Sequence, residues 1–253
     1  MAGSLYPLLW REFRANFGYL GMFRQFLIPT AFLLLFGVGL SSTLGAVSYG
    51  GRTVSYLLFL VPGLIVSEIY FPFSVSMSTV RLDIVTEYIS IIIVSRTRIH
   101  YYWLSKAVFA GLRGLLMAFY ILLAALPLTG YAPSSLASYL VIAAVVFVSC
   151  FMWSSLGLVI GCRIRSERTR DLIMAIVNIP LTFSSSAYYD ISRAPFWLRV
   201  LGSLNPLTYS ANIVRSAYLG LGAYSLFDIV GLAAYTIVAA VLAYISSRKI
   251  TIR

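Results

Sequence analysis

The sequence predicts an all-α polytopic membrane protein with six transmembrane helices. Three observations carry the prediction: six long apolar stretches, connections that are alternately rich and poor in arginine, and a composition that a water-soluble core does not have. Of the 253 residues, 60% are hydrophobic and only 11% are charged, and the mean hydropathy is +0.90. Soluble domains carry roughly 25% charged residues, so the soluble class is excluded.

Each helical residue rises about 1.5 Å, so about 20 apolar residues are needed to cross about 30 Å of hydrocarbon. The stretches 26–46, 54–80, 103–128, 136–161, 172–188 and 226–245 meet or approach that length, and the whole chain, 1–253, reads as one transmembrane domain. The first run begins only at Phe26 and is too long for the core of a signal peptide, so it reads as a retained span. Orientation follows from the cations, which accumulate on cytoplasmic flanks. The amino-terminal segment (Arg11, Arg14, Arg24), the second connection (Arg81, Arg96, Arg98, Lys106), the fourth (Arg163, Arg165, Arg168, Arg170) and the tail (Arg248, Lys249, Arg253) hold fourteen cations. The opposite connections hold four: Arg52, Arg193, Arg199 and Arg215. Both termini are therefore expected in the cytoplasm, in a cell-membrane protein. The formal charge of +11 is mostly this bias. Its cations lie in short clusters at span ends, not along a groove-sized face, so nucleic acid is not an expected partner.

Taken in order, residues 1–25 mix Leu5, Leu8, Leu9, Phe13, Phe17 and Leu20 with Arg11, Glu12, Arg14 and Asn16 at spacings of three and four. This predicts an amphipathic helix in the cytoplasmic interface, with Trp10 and Tyr19 as anchors. The second span carries Pro62-Gly63 and Pro72, and the fifth carries Pro180. Each proline removes a backbone hydrogen bond, so these spans are expected to bend and are the first candidates to line a pathway. Asp83–Ile99 is polar at both ends and apolar at Ile89, Ile91, Ile92, Ile93 and Val94. It predicts a short cytoplasmic helix whose apolar face needs a cover, from a partner or the interface. The fourth span holds Gly157 and Gly161 at the spacing that lets helices approach closely. After the fifth span, Ser184–Gly220 alternates aromatic, aliphatic and basic groups. Two short outer helices are expected within 189–220, lying in or dipping into the outer leaflet. Pro195 and Pro206 suit their first turns, and Asn205 is the N-cap of the second.

The chemistry is sparse. The eight carboxylates form no acid-rich metal motif, although Asp83 and Glu87 share a helical face. The single histidine, His100, reads as an interfacial anchor. No GxxxxGK[ST] phosphate loop exists, so ATP hydrolysis is not expected of this chain. Cys150 and Cys162 lie at the fourth span, where they read as small apolar residues, not a disulfide; no metal site is expected. Glu68 stands near the middle of the second span, where an ionisable group is a functional candidate by default. Arg113, seven residues beyond Lys106 on one face of the third helix, either reaches Glu68 or snorkels. Tyr56, Tyr70, Phe71, Phe73, Phe183, Tyr188 and Tyr189 lie along the bent spans, as a pathway lining or an interfacial belt. Glu68, Tyr70, Phe71, Phe183 and Tyr188 are the pathway candidates.

The order of these features resembles the membrane subunits of type-2 ABC exporters, drug and nodulation-factor exporters more than polysaccharide permeases. The likeness covers nearly the whole chain: the start LLWREFRANFGYLGMFRQFLIP, FLVPGLIVSE (59–68), SRTRIHYYWLSKAV (95–108) and SLNPLTYSANIVRSAYLG (203–220). The last string is the most specific, with Asn205, Pro206, Tyr209 and Arg215 in place. The resemblance implies a permease that acts with a second permease copy, two cytosolic ATP-binding subunits and membrane lipid. ATP and Mg belong to those partner subunits, and no cofactor belongs to this chain. It also implies that Asp83, Glu87, Ile89, Ile92, Ile93 and Arg96 form a coupling helix against the ATPase. Where the family has Gly-Thr before the glutamate and Pro before Ser-Arg, this chain has Val85-Thr86-Glu87 and Val94-Ser95-Arg96. The implied cargo is an amphiphile, lipid or drug, or alternatively a glycan or glycolipid. A stand-alone secondary transporter working through Glu68 and an intramembrane lipid transferase are the readings from other classes.

Overall fold

The computed structural model describes residues 5–16, 19–95, 97–164, 166–222 and 224–249. It opens with α1 (Leu5–Asn16), which turns Leu8 and Glu12 inward and leaves Tyr6, Trp10 and Phe13 exposed. Next, α2 (Tyr19–Phe32), a π-helical stretch (Leu33–Val38) and α3 (Gly39–Leu44) run on as one helical path. The first span was expected over 26–46, but the helix starts at Tyr19 and stops at Leu44. Its former end belongs to a β-hairpin: β1 (Ala46–Tyr49) pairs with antiparallel β2 (Arg52–Ser55), with Ala46 opposite Ser55 and Tyr49 opposite Arg52. The two loop residues, Gly50 and Gly51, have φ of 59° and 75°. A two-residue hairpin turn of that hand needs left-handed backbone at both positions, which glycine adopts at little cost.

The second span breaks at Pro72, whereas Pro62 and, in the fifth span, Pro180 lie inside unbroken helices. Helix α4 (Tyr56–Ile69) is capped by Ser55, whose hydroxyl accepts from Leu58 N, and it gives way at Tyr70 to α5 (Phe71–Val85), with Pro72 in the first turn. The break falls where Pro72 has no N–H to offer. Beyond it, Thr86 and Glu87 turn the chain, Glu87 with a φ of 57°, into α6 (Tyr88–Val94). The segment 83–99 is therefore not one helix: Asp83 ends the second span, and only 88–94 forms the short helix.

The rest comprises α7 (Ile99–Thr129), α8 (Leu136–Gly161), α9 (Glu167–Phe183), α10 (Phe196–Ser203), α11 (Pro206–Tyr218) and α12 (Leu226–Lys249). Serines cap two of them at the expected geometry: Ser135 accepts from Ser138 N, and Ser166 from Thr169 N. The fifth helix is displaced from the expected 172–188, because the Ser166 cap starts it early and it stops after Pro180, at Phe183. Among the described residues four helices are long and apolar enough to cross a membrane: Tyr56–Val85, Ile99–Thr129, Leu136–Gly161 and Leu226–Arg248. The apolar part of the first, Gln25–Ser41, is shorter. Helix α9 opens on Glu167, Arg168, Arg170 and Asp171 and buries none of its residues.

The core gathers around α4, α5, α7, α8 and α11, and α5 against α8 is its tightest seam. There Gly157 and Gly161 face the backbone of Phe73 and Met77; a Cβ at Gly157 would collide with Phe73 O, and one at Gly161 would lie 2.7 Å from Met77 O. Small residues at this spacing let two backbones touch. The buried Ser76 and Ser154 hydroxyls, 2.7 Å apart, bond across the same seam. Gly157→Ala should therefore lower stability by about 1–3 kcal/mol through overpacking, read as a lower thermal midpoint in detergent. Gly39→Ala, whose new Cβ meets no atom within 4 Å, should hold or raise the midpoint, because alanine is the better helix former by about 1 kcal/mol.

Candidate transport and coupling site

At the end where α1 meets α5 and α7 lies a buried network of charges. Arg11 forms an ion pair with Asp83. The Lys106 ammonium lies 2.9 Å from Glu12 and 3.0 Å from Asp83, and donates to Thr79 Oγ1 at 3.2 Å. Tyr102 donates to Asp83 Oδ2 at 2.7 Å, and the Arg11 guanidinium lies 3.6 Å above the Tyr88 ring. Burial raises the Tyr88 phenol above its ordinary pKa, with Arg11 opposing and Asp83 and Glu12 adding to the rise. The ring stays neutral, a platform for the cation. Every member sits where its helix pattern puts it: Lys106 and Tyr102 are one turn apart on α7, and Asp83 is at the last turn of α5.

This geometry redistributes the six residues expected to contact an ATPase. Asp83 is buried and committed to Arg11, Lys106 and Tyr102, so its carboxylate faces inward. Ile89 and Ile92 are buried in a cluster with Leu8, Val80, Tyr102, Leu158, Val159 and Ala243. The chain itself covers the apolar face that was expected to need a partner. Glu87 and Ile93 are exposed, and Arg96 lies outside the described residues. The outward apolar groups are Leu82, Ile84, Val85, Ile91, Ile93 and Val94; of these, Ile91, Ile93 and Val94 were visible in the sequence as part of the isoleucine run but not separable by face.

At mid-length, the pathway candidates divide. Tyr70 is buried, stacked on Phe73 at 5.3 Å and edge-on to Trp153 at 5.0 Å, and so fills the core. Phe71 is exposed and lies under Arg113, whose guanidinium is 4.4 Å from the ring centroid and whose Nε donates to Gln25 Oε1 at 3.0 Å. Glu68 and Arg113 form no ion pair with each other. Phe183, exposed at the end of α9, approaches Tyr188 at 6.4 Å.

At the opposite end, α10 and α11 part company. Helix α10 exposes Phe196, Trp197, Val200 and Leu201, whereas α11 is enclosed along nearly its whole length between α4, α8 and α12. Asn205 acts as the expected cap: its Oδ1 accepts from Leu207 N at 2.9 Å while its Nδ2 donates to Leu181 O and to Ser184 Oγ. It thereby ties the end of α9 to the start of α11. Pro206 fills the first turn, and the Tyr209 hydroxyl donates to Ser203 O. Arg215 is fully buried; it donates to the carbonyls of Phe59 (3.4 Å), Ser186 (2.8 Å) and Ala187 (3.0 Å) and lies 3.8 Å over the Phe59 ring. A chain of bonds from Ser186 to Asn212 and on to Asp228 closes the same region. Sequence reasoning missed Asn212 and Asp228, although a carboxylate two residues into a membrane helix was a usable signal.

Two outcomes test these assignments. Removing one member of a buried pair costs about 3–5 kcal/mol, because the other charge is left uncompensated. Lys106→Met should accordingly lower the thermal midpoint sharply, and an unchanged midpoint would mean that the network is ornamental. Arg215→Lys should also destabilise, by about 2 kcal/mol or more, since an ammonium has no planar fork to span carbonyls from two segments; stability equal to the parent would refute the clamp.

A family model described as ABC-2 type transporter matches residues 4–219, nearly the whole chain. A protein of Porphyra purpurea whose name alone makes it a transport permease, ycf38, is 30% identical over 126 residues, half of this chain and 42% of that protein. Its namesake from Cyanophora paradoxa is 39% identical over 46 residues, 18% of this chain and 16% of that protein. The matches thus span less than half the length of either relative. With long apolar helices in a chain that one transporter-family model covers almost end to end, this protein belongs to the ABC-2 type transporter family and is a membrane permease.

Proposed function

We propose that the chain is the membrane-spanning subunit of an ATP-driven exporter that moves an amphiphilic, lipid-like or drug-like substrate out of the cytoplasm. The observation that carries the reading is the family match over 4–219, together with an end of the molecule built to receive force. There α1 is locked by charges to α5 and α7, and α6 projects with one face packed inward and the other bare. In this reading the helical path 19–44 and α9 complete six spans, both termini are cytoplasmic, and two copies work with two ATP-binding subunits. The ATPase docks on the outward edge of the α5–α6 turn, at Val85, Glu87, Ile91 and Val94. The absence of a phosphate loop in the sequence puts ATP hydrolysis in that partner.

The faces of α6 supply the test. A carboxylate at an outward position must be desolvated in the docked contact, which is costly without a partner. Ile91→Asp or Val94→Asp should release the ATPase on co-purification, or abolish substrate-stimulated ATP turnover, while the permease melts normally. Ile92→Asp should instead lower the thermal midpoint of the permease itself, because Ile92 is buried among the chain's own residues. If both outward variants bind and stimulate as the parent does, the docking assignment fails. If no ATPase accompanies the parent chain either, the ATP-driven reading gives way to a stand-alone transporter working through Glu68.

A further inference from the structure

We propose that Arg113, with Gln25, Phe71 and Glu68 around it, binds the anionic head group of an amphiphile, a phosphate or a carboxylate, midway along the membrane helices. Arg113 lies 14 residues from the start of α7 and 16 from its end, so about 21 Å and about 24 Å from the two helix ends. A cation at that depth is expensive and is ordinarily paired or placed on a pathway. Arg113 has no carboxylate partner among the described residues. Its one hydrogen bond there runs from Nε to Gln25, and Phe71 supports the plane of the guanidinium. The two terminal nitrogens are left as a fixed fork, and a fork of that geometry matches the paired oxygens of a phosphate or carboxylate.

The surroundings fit an amphiphile. Leu112, Leu116 and Phe119 are exposed along α7 beside Arg113, a track for an acyl chain. Inward, a small cavity of about 20 Å³ runs from Arg113 past Pro72, Val75 and Phe109 to Lys106 and Glu12. Unlike Arg113, Lys106 is saturated by Glu12, Asp83 and Thr79. Glu68 stands three residues before Phe71, close enough to interact with the Arg113 charge without bonding to it. An ionised Glu68 competes with an arriving anion for the guanidinium. The proposal rests on the exporter reading only for whether the occupant is cargo or resident lipid.

The test uses the full chain in phosphatidylcholine nanodiscs, titrated with oleoyl lysophosphatidic acid and, as the uncharged match, monooleoyl glycerol. The parent should bind the anionic probe about 10-fold or more tightly than the neutral one, the range for a charge-assisted bidentate contact. Arg113→Gln should erase that preference with little change in the neutral probe. Arg113→Lys, which keeps the charge and protects the test if the glutamine variant fails to fold, should lose part of it. Glu68→Gln should tighten the anionic probe. No preference in the parent, an unchanged preference in both Arg113 variants, or weaker anion binding in Glu68→Gln would each overturn the site. Two further arms assign the source. With the ATPase partner bound, stimulation of ATP turnover by lysophosphatidic acid in the parent but not in Arg113→Gln identifies cargo. Displacement of the probe by phosphatidylglycerol discs with turnover unaffected identifies resident lipid. Failure of the exporter reading would appear separately, as no ATPase capture, and would leave the binding titration readable.

Discussion

A buried ammonium held between two carboxylates organises one end of this molecule. Lys106 cannot be dehydrated alone, and the carboxylates that neutralise it come from two other elements, Glu12 of α1 and Asp83 of α5. Taking the charges out of water is paid back only when all partners are in place, so α1 has one seat and α5 one ending. That ending fixes where the chain turns at Glu87, and the turn decides which isoleucines of α6 face the core. The apolar cluster of Leu8, Ile89, Ile92 and Tyr102 then covers the buried side of the network, which strengthens the Lys106 pairs at its centre, while the Arg11 side chain stays 34% exposed.

The opposite end solves the same problem differently. Arg215 has no carboxylate bonded to it among the described residues; its positive charge is spread over carbonyl dipoles from α4 and from the loop after α9, and over the face of Phe59. The result ties α11 to α4, which it also meets through the apolar core, and to the loop after α9. Asn205 does the same for the ends of α9 and α11. Helix α9 buries none of its residues fully but packs Ile173, Met174 and Leu181 against the core, and the Asn205 bonds hold its end.

Much of this was legible because it is local. Apolar run length gave the long helices, and Pro72 gave the break at Tyr70. Asn205 stands where a helix must find acceptors for its first N–H groups, and the structure adds Ser135 and Ser166 in the same role. What the sequence hid depends on which residues meet. The hairpin around Gly50-Gly51 went unread: the expected spans 26–46 and 54–80 stopped on either side of the turn and took in only Ala46, Val54 and Ser55 of its strands, since hydropathy does not distinguish a strand edge from a helix end. Asp83 looked like the opening of a surface helix because charge near a span end usually faces water; its partners Arg11 and Lys106 are distant in sequence. The isoleucine run was read as one adhesive face, although a seven-residue helix has two sides, and Val80 and Val159 claim one of them. Gly157 and Gly161 carried little weight as a pattern that arises by chance; only the backbone of α5 against them gives the pattern meaning.

The Lys106 network also sets an order of assembly. Arg11 and Glu12 leave the ribosome long before their partners, since Arg11 is separated from Asp83 by 72 positions and Glu12 from Lys106 by 94. During that interval α1 has no counter-charges to dock against and waits at the surface of the nascent bundle. Its docking becomes the step that closes this end, after α5 and α7 are side by side. A chain stalled before α5 and α7 meet displays an uncompensated lysine within an apolar helix; once they meet, Asp83 covers half of that charge and α1 brings the rest.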